Sequence, residues 1–397
     1  MKQSCFPPYR GFAALDIGAL VRNFCLLREK AQTVNPNARV IAVVKANAYG
    51  HGAAPVLPAL FRAGCDFFAV ATPDEALEAR RLCGSADILV LGYTPPNRAI
   101  ALAEANITQT VFSAAYGAAL SSVMSAAKLR LKIHLKIDGG MCRQGFAPSD
   151  DEGLLQTLRR RGLQATGLYT HFPSADSDPA ATKQALDVFC ACRDRLKAAG
   201  FPLFAHAAAS AAALTMGDSV LDAIRVGIAL YGIPPVTTDL PLSPVLSLHA
   251  PIVQIREVGA NTPIGYGGDF VTQKDSRIGV LPIGYADGFC RRLSGLFVTL
   301  SHKGDHFSVP LVGRVCMDQL MVDLTDTPAA VGDTVCLWRD AVSVADRLST
   351  IPYEVLSALS PRIARIATTT TTASGGMHCA FKAMVLTTSE DVLNNKH

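Results

Sequence analysis

The 397-residue sequence predicts an α/β protein, a (β/α)8 TIM-like barrel followed by a mainly antiparallel β domain. The first observation behind this is a series of short apolar, β-branched runs: VIAVV (40–44), FFAVA (67–71), DILVLG (87–92), ITQTVF (107–112), LKIHLKID (131–138), ATGLYTH (165–171), PLFAHA (202–207) and AIRVGIALYG (223–232). The second is helical spacing between them. In residues 180–200, Leu186, Phe189, Cys190 and Leu196 fall on one helical stripe before Gly200 closes it. Strand and helix in even alternation suit a closed barrel. An open doubly wound sheet is the alternative, but no G-x-G-x-x-G turn follows any of the runs. The third observation is a change of character after residue 240. HAPIVQIREV, RIGVLPIGYADG, LFVTLSHKGDHFSVPLVGRV, LMVDL and GDTVCLW follow closely, with turn signals such as Lys303-Gly304-Asp305 and little room for crossover helices. The predicted boundaries are 1–240 for the barrel, with residues 11–17 available to pair with the β domain, and 241–367 for the β domain. A polar, biased stretch (TTTTTASGG) makes 368–397 a loosely held tail.

Composition narrows the function classes. Hydrophobic residues are 49% and charged residues 18%, the balance of a chain with extensive buried strands rather than of a disordered one. The net charge of +4 is too small and too scattered for a nucleic-acid footprint, which leaves a small molecule as the expected partner. Eleven cysteines without a C-x-x-C pair suit reduced, mostly buried thiols, not a metal site. The first 20 residues lack the apolar core and cleavage site of a signal peptide, and no stretch approaches the roughly 20 apolar residues of a membrane span. A cytoplasmic enzyme is the expectation.

A barrel carries its site at the carboxyl ends of its strands. The polar residues there are Lys45, Lys136, Asp138, His171, His206 and Arg225. Each alone has an ordinary structural explanation, since a buried histidine is usually just hydrogen-bonded and a lysine at a rim can snorkel to water. Together they would be costly to bury without a purpose. Lys45 ends an apolar strand, where desolvation and nearby cations would depress its pKa, as a Schiff-base nucleophile requires. Arg225 stands in the mouth after the eighth run, with Gly227 two residues on and Ser210 after the seventh run, where this fold usually binds phosphate. Reactive lysine, phosphate cup and partner for a pyridine nitrogen describe a pyridoxal phosphate site.

The stretches VVKANAYGHG, THF-x-x-AD, HAA-x-SAA, R-x-GIALYG, SLHAPIVQ, IGYGG, PIGYADGFCRRLSG, GRVCMDQ and YEVL-x-x-x-x-x-R, in this order from about residue 11 to 366, closely resemble the alanine racemases. The resemblance implies an isomerase (EC 5.1.1.1) that interconverts L- and D-alanine on pyridoxal 5'-phosphate and supplies D-alanine for peptidoglycan. It implies that Lys45 carries the cofactor and moves the α-proton on one face. Tyr266, from IGYGG, would do so on the other, across the interface of a homodimer with composite sites. Tyr49, Ser210, Gly227, Ile228 and Tyr353 would hold the phosphate. Arg225 would bond the pyridine nitrogen, with His206 and His171 supporting Arg225 and Tyr266. Arg143 and the Met317 amide would receive the substrate carboxylate, Lys136 would orient that arginine, often as a carbamate in this family, and Tyr285 and Asp318 would line the mouth. No metal is implied. A phenol ordinarily titrates at about 10, so a tyrosine used as a base calls for a cationic relay, which His171 and Arg225 would provide.

The chain departs from the family pattern at Gly139, usually threonine, at Cys142 before the arginine, at Ala209, usually asparagine, and at Val226, usually proline. None of these removes a catalytic group. A racemase of serine or another small amino acid is the nearest rival, because a small pocket discriminates one hydroxyl weakly. A decarboxylase on the same barrel is faintly echoed by VCMD (315–318) but lacks the longer glycine-rich phosphate motif. A non-enzymatic cofactor carrier would have neither the β domain nor Tyr266.

Overall fold

The computed structural model describes residues 8–368, so the tail assigned to 368–397 lies, beyond Thr368, outside the described residues. The chain forms two compact units. One comprises residues 19–49 and 56–243; the other comprises residues 50–55 with the described residues before 19 and after 243. The earliest strand, β1 (Phe12–Asp16), belongs to the second unit.

The first unit is the barrel that the apolar runs predict. Its eight strands are β2 (Arg39–Val43), β3 (Phe67–Val70), β4 (Asp87–Val90), β5 (Thr108–Val111), β6 (Leu131–Lys136), β7 (Leu163–Tyr169), β8 (Phe204–His206) and β9 (Ala223–Val226), paired in sequential order. The ring closes where β9 lies parallel to β2, with Arg225 opposite Ile41. All residues of β3, β4 beyond Asp87, β5 and β9 are buried. Strands covered on both faces need apolar residues on both, which explains continuous rather than alternating runs. The helices between carry their own end signals. Pro73–Leu82 starts on a capping box of Thr72 and Glu75. Pro179–Ala198 starts on Asp178, whose side chain accepts from the Ala181 amide, with Pro179 as the first helical residue. Its buried stripe runs through Leu186, Phe189, Cys192 and Leu196; the stripe expected from sequence named Cys190, which is only half-buried.

Two runs are shorter than the sequence suggests. The run at 223–232 is a strand only to Val226, after which Ile228–Tyr231 winds into a 3-10 turn closed by Gly232 at φ 82°. HAPIVQIREV is two strands of one sheet, β10 (Leu246–Pro251) and β11 (Gln254–Val258). Between them the Ile252 amide donates to the Asp333 carbonyl and the Val253 amide to the Val280 carbonyl, so the chain changes partners there.

The second unit is built on a nine-stranded sheet. After β10 and β11 come the short pair β12 (Pro263–Ile264) and β13 (Phe270–Val271), then β14 (Ser276–Leu281), β15 (Phe297–His302), β16 (Asp305–Val312), β17 (Leu320–Asp323), β18 (Thr334–Trp338) and β19 (Ala364–Thr368). The order is β11-β14-β17-β16-β15-β18-β10-β1-β19, antiparallel throughout except for β1 beside β19. Lys303 and Gly304, at φ 48° and 97°, make the tight β15–β16 hairpin that the KGD signal announces. Among the described residues every cysteine is free, no cluster of His, Cys, Asp or Glu could hold a metal ion, and no helix is long and apolar enough to cross a membrane.

Candidate active site

In the barrel unit the site begins where β2 ends. Val44 continues the ladder, its amide donating to the Ala69 carbonyl at 2.8 Å, and Lys45 follows. Ala46, Asn47, Ala48 and Tyr49 then form a left-handed turn, all with φ between 52° and 54°. L-residues pay roughly 1–2 kcal/mol each for that conformation, and only Asn47 is a residue type that visits it readily. Compensation comes from hydrogen bonds. The Ala48 amide donates to the Val44 carbonyl at 2.9 Å. The Ala46 amide donates to Glu75 Oε1 at 2.7 Å, while Glu75 Oε2 accepts from the amides of Ala71 (2.8 Å) and Thr72 (3.2 Å).

The turn delivers the Tyr49 hydroxyl against Gly227, where a Cβ would lie 2.4 Å from that oxygen. Only glycine leaves Tyr49 in place. Ser210, buried at the start of the helix Ser210–Thr215, accepts from the Gly227 amide at 3.1 Å through its Oγ. Tyr49, Ser210, Gly227 and Ile228 therefore share one corner beyond β8 and β9, with hydroxyl and amide donors and a glycine cradle. The residues present fit a phosphate group there.

Arg225 lies buried in the barrel mouth, and both of its terminal nitrogens are held by partners. NH1 donates to the His206 carbonyl at 2.9 Å and faces His206 Nδ1 at 3.0 Å. NH2 donates to the carbonyls of Thr170 (2.7 Å) and Ala207 (3.1 Å) and faces His171 Nδ1 at 3.4 Å. Burial lowers its pKa to about 10, which still leaves it charged at neutral pH. The Tyr169 ring packs under the guanidinium at 5.1 Å and stacks on His206 at 4.9 Å. Burial, then the Arg225 and Arg143 charges, push His171 down to about 3, so it is a neutral imidazole.

Two lysines face this field. Burial and the Arg143 charge lower the Lys45 pKa, with Glu75 opposing. Lys136, buried at the end of β6, is pushed down to about 8 by burial and the charges of Arg143 and Arg225, with Asp138 opposing. Asp138 wraps the loop that follows: its Oδ1 accepts from the amides of Gly140, Met141 and Cys142 at 3.1–3.2 Å, and Arg143 comes next, exposed. Gly139 sits where a Cβ would lie 2.7 Å from both the His171 carbonyl oxygen and the Thr170 hydroxyl, so a threonine would not fit this loop as it stands.

The remaining expected residues belong to the second unit. Tyr266 projects from a turn of Gly265, Gly267 and Gly268, all at positive φ, braced by the Arg314–Asp269 ion pair, and is 71% exposed. Tyr285 and Met317 are also exposed, on two loops pinned together: the Tyr285 amide donates to the Cys316 carbonyl and the Ala286 amide to the Met317 carbonyl, both at 3.0 Å. Arg362 ties these loops from outside, pairing with Asp318 at 2.5 Å and with the buried Asp287 at 3.3 Å. Tyr353 lies on the helix Pro352–Ser357, partly exposed. The structure thus brings Lys45, Tyr49, Lys136, His171, His206, Ser210, Arg225, Gly227 and Ile228 into one barrel mouth. Sequence reasoning missed Glu75, His134 and Tyr169. The signal was present for His134, which shares the inward period-two register of β6 with Lys136.

Residues 15–235 match the family model described as alanine racemase, N-terminal domain, and residues 245–367 match the one described as alanine racemase, C-terminal domain. The chain is 38% identical over 367 residues to alanine racemase 2 of Caldanaerobacter subterraneus subsp. tengcongensis, covering 89% of this chain and 93% of that protein. It is 40% identical over 370 residues to the alanine racemase of Carboxydothermus hydrogenoformans, covering 89% and 98%. Among solved structures, the alanine racemase from Bacillus anthracis with bound L-Ala-P superposes with a TM-score of 0.83 at 32% identity, covering 92% of this chain and 96% of that one.

Proposed function

This chain belongs to the alanine racemase family, whose members are pyridoxal-phosphate-dependent isomerases, and we propose that it interconverts L- and D-alanine as a cytoplasmic homodimer with sites shared between subunits, supplying D-alanine for peptidoglycan. One observation carries most of this reading: a buried arginine held by both of its terminal nitrogens stands in the same mouth as a lysine of lowered pKa and a glycine-cradled cluster of phosphate donors.

The cofactor would be held by Lys45, by Arg225 at its ring nitrogen, and by Tyr49, Ser210, Gly227, Ile228 and Tyr353 at its phosphate. When bound, it draws electron density from the substrate's Cα–H bond so that the proton can leave. Racemisation then needs only a base on each face. Lys45 Nζ serves one face, and its lowered pKa increases the share of neutral amine able to take the proton. Tyr266 Oη of the other subunit serves the opposite face, with His171 in support. Arg225, charged at neutral pH, offers the ring nitrogen a hydrogen bond rather than a proton. Arg143 and the Met317 amide receive the substrate carboxylate. The pinning of the Tyr285 and Met317 loops by Asp318, Asp287 and Arg362 would keep that amide in place. A dimer is supported by large side chains left open on one chain, Tyr266 at 71% and Met317 at 54% exposure, which a second copy would cover.

The test is loss of optical rotation across a panel of L-amino acids with cofactor supplied. Alanine should be racemised fastest. Serine or another small amino acid ahead of alanine would establish the rival racemase, carbon dioxide release the decarboxylase, and a stoichiometric but inert cofactor complex the carrier.

Lys136 adds a pH-dependent expectation. Only a neutral amine can attack carbon dioxide, and a carbamate would place a negative charge among Arg143, Arg225 and Lys45. Its amine is mostly ammonium well below pH 8 and mostly neutral above it. A carbamate signal in carbon-13 NMR with labelled bicarbonate should therefore grow as pH rises through about 8. It should be absent in Lys136→Ala. A spectrum that lacks the signal at pH 9 would show that Lys136 orients Arg143 as a plain amine.

A further inference from the structure

We propose that His134, which has no role in the mechanism above, is a positioning residue that locks the tautomer of His206 and through it the set of Arg225. The proposal rests on the assignment of Arg225 to the cofactor's ring nitrogen.

A guanidinium has five N–H donors and no acceptor. The Nδ1 of His206, 3.0 Å from Arg225 NH1, must therefore be bare. A neutral His206 then carries its single proton on Nε2. That nitrogen lies 3.0 Å from His134 Nδ1, in the barrel interior. The His134 nitrogen must be the acceptor, which puts the proton of His134 on its own Nε2. Only one arrangement of protons satisfies the chain Arg225–His206–His134, and it holds both imidazoles neutral. Burial acts in the same direction, pushing His134 down to about 3 and His206 well below its ordinary value.

The surroundings are built to keep the two rings where they are. His134 is 4% exposed and His206 is fully buried. The His134 ring lies so close to the backbone of Gly167 that a Cβ there would be 2.5 Å from Cε1 and Nε2, so the neighbouring strand β7 has to carry glycine at that point. A register shift between Ile133 and His134 in the β6–β7 pairing accompanies the close approach. Phe67 meets His134 edge-on at 6.1 Å, and Tyr169 stacks on His206 with its hydroxyl tied to Thr110 at 3.0 Å. Among the described residues no other acceptor is bonded to His206 Nε2.

Without the His134 nitrogen, the Nε2–H of His206 would point at apolar wall. The proton would then favour Nδ1, where it faces Arg225 donor to donor and displaces the guanidinium. Arg225 out of place would relax control over where the substrate proton returns. In the side reaction this permits, the Cα proton goes to the cofactor's aldehyde carbon. Water then releases pyruvate and leaves the amino group on the cofactor, so alanine is oxidised and the cofactor reduced.

Two variants of the cofactor-loaded enzyme test the proposal. His134→Leu keeps volume without an acceptor, and His134→Asn places an amide oxygen near the position of Nδ1. Nitrogen-15 NMR of the histidine rings reads the tautomers directly. Wild type and His134→Asn should show His206 with a protonated Nε2 and a bare Nδ1; His134→Leu should shift it toward Nδ1–H, with pyruvate formed per racemisation event raised several-fold and returned to the wild-type level by Asn. A wild-type spectrum with the His206 proton on Nδ1 overturns the proposal whether or not either variant folds, and so does an unchanged His206 tautomer in folded His134→Leu. A changed tautomer with unchanged pyruvate upholds the His134–His206 lock and overturns instead the placing of Arg225 on the ring nitrogen.

Discussion

Replacing Lys45 with alanine should reduce racemisation by roughly 10⁴-fold or more, since general acid–base work alone is worth up to that much and the proposed function also makes this lysine the cofactor's attachment point. The fold should survive. Lys45 is only half-buried, and the left-handed turn after it is held by the Glu75 and Val44 acceptors, not by the ammonium. Borohydride treatment of the wild-type enzyme should leave the cofactor covalently on Lys45, identified by peptide mapping. The competing amine is specific. Lys136 is buried in the same mouth with a pKa of about 8, so in pKa it is also suited to attack an aldehyde. Geometry favours Lys45, which follows β2, the strand beside β9, while Lys136 lies across the barrel at the end of β6. Cofactor trapped on Lys136, or a folded Lys45→Ala enzyme with near-normal turnover, would overturn the assignment.

The barrel was legible because its strands, buried on both faces, leave unmistakable apolar runs, and the polar residues that end several of these runs fall at the mouth where this architecture does its chemistry. Lys45, Lys136, His171, His206 and Arg225 could be picked out on that ground alone. What could not be read is backbone geometry that side-chain type does not encode. ANAY has no glycine, yet Ala46 to Tyr49 are all left-handed, because a carboxylate 29 residues away, Glu75, takes up the Ala46 amide. Tertiary contacts outvote local propensity there. The break within HAPIVQIREV was hidden for a similar reason. Ile252 and Val253 are as apolar as the strands on either side, and only the switch of hydrogen-bond partner ends one strand and starts the next. His134 sat in plain view in LKIHLKID but reads as one polar residue in a strand until its distance to His206 is known. The roles of Tyr266, Tyr285 and Met317 came from family resemblance alone, since nothing in their local sequence says what an exposed tyrosine or methionine on a β-domain loop would face.

Mixing two inactive variants should restore activity to roughly a quarter of wild type. Tyr266 projects from a glycine turn braced by the Arg314–Asp269 pair and is 71% exposed on its own chain. If the base on the second face comes from the other subunit, a two-fold dimer has two composite sites, each needing Lys45 from one chain and Tyr266 from the other. Lys45→Ala and Tyr266→Ala proteins would each be nearly inactive alone. Unfolded and refolded together in equal amounts, they pair at random, and about half the dimers are mixed. Each mixed dimer has one site carrying both defects and one carrying neither, so half of its sites work. The expected recovery is the product of those two halves, and it should scale with the mixed-dimer fraction measured by native mass spectrometry. Tyr266→Phe in place of Tyr266→Ala should complement equally well, because it keeps the ring's packing and removes only the hydroxyl. Mixed dimers that form yet stay at the single-variant level would mean that Lys45 and Tyr266 act within one chain, or that Tyr266 is not the second base. In Tyr266→Ala alone, α-hydrogen exchange with deuterated water for one enantiomer, without inversion, would separate these, since the base on the other face is still present.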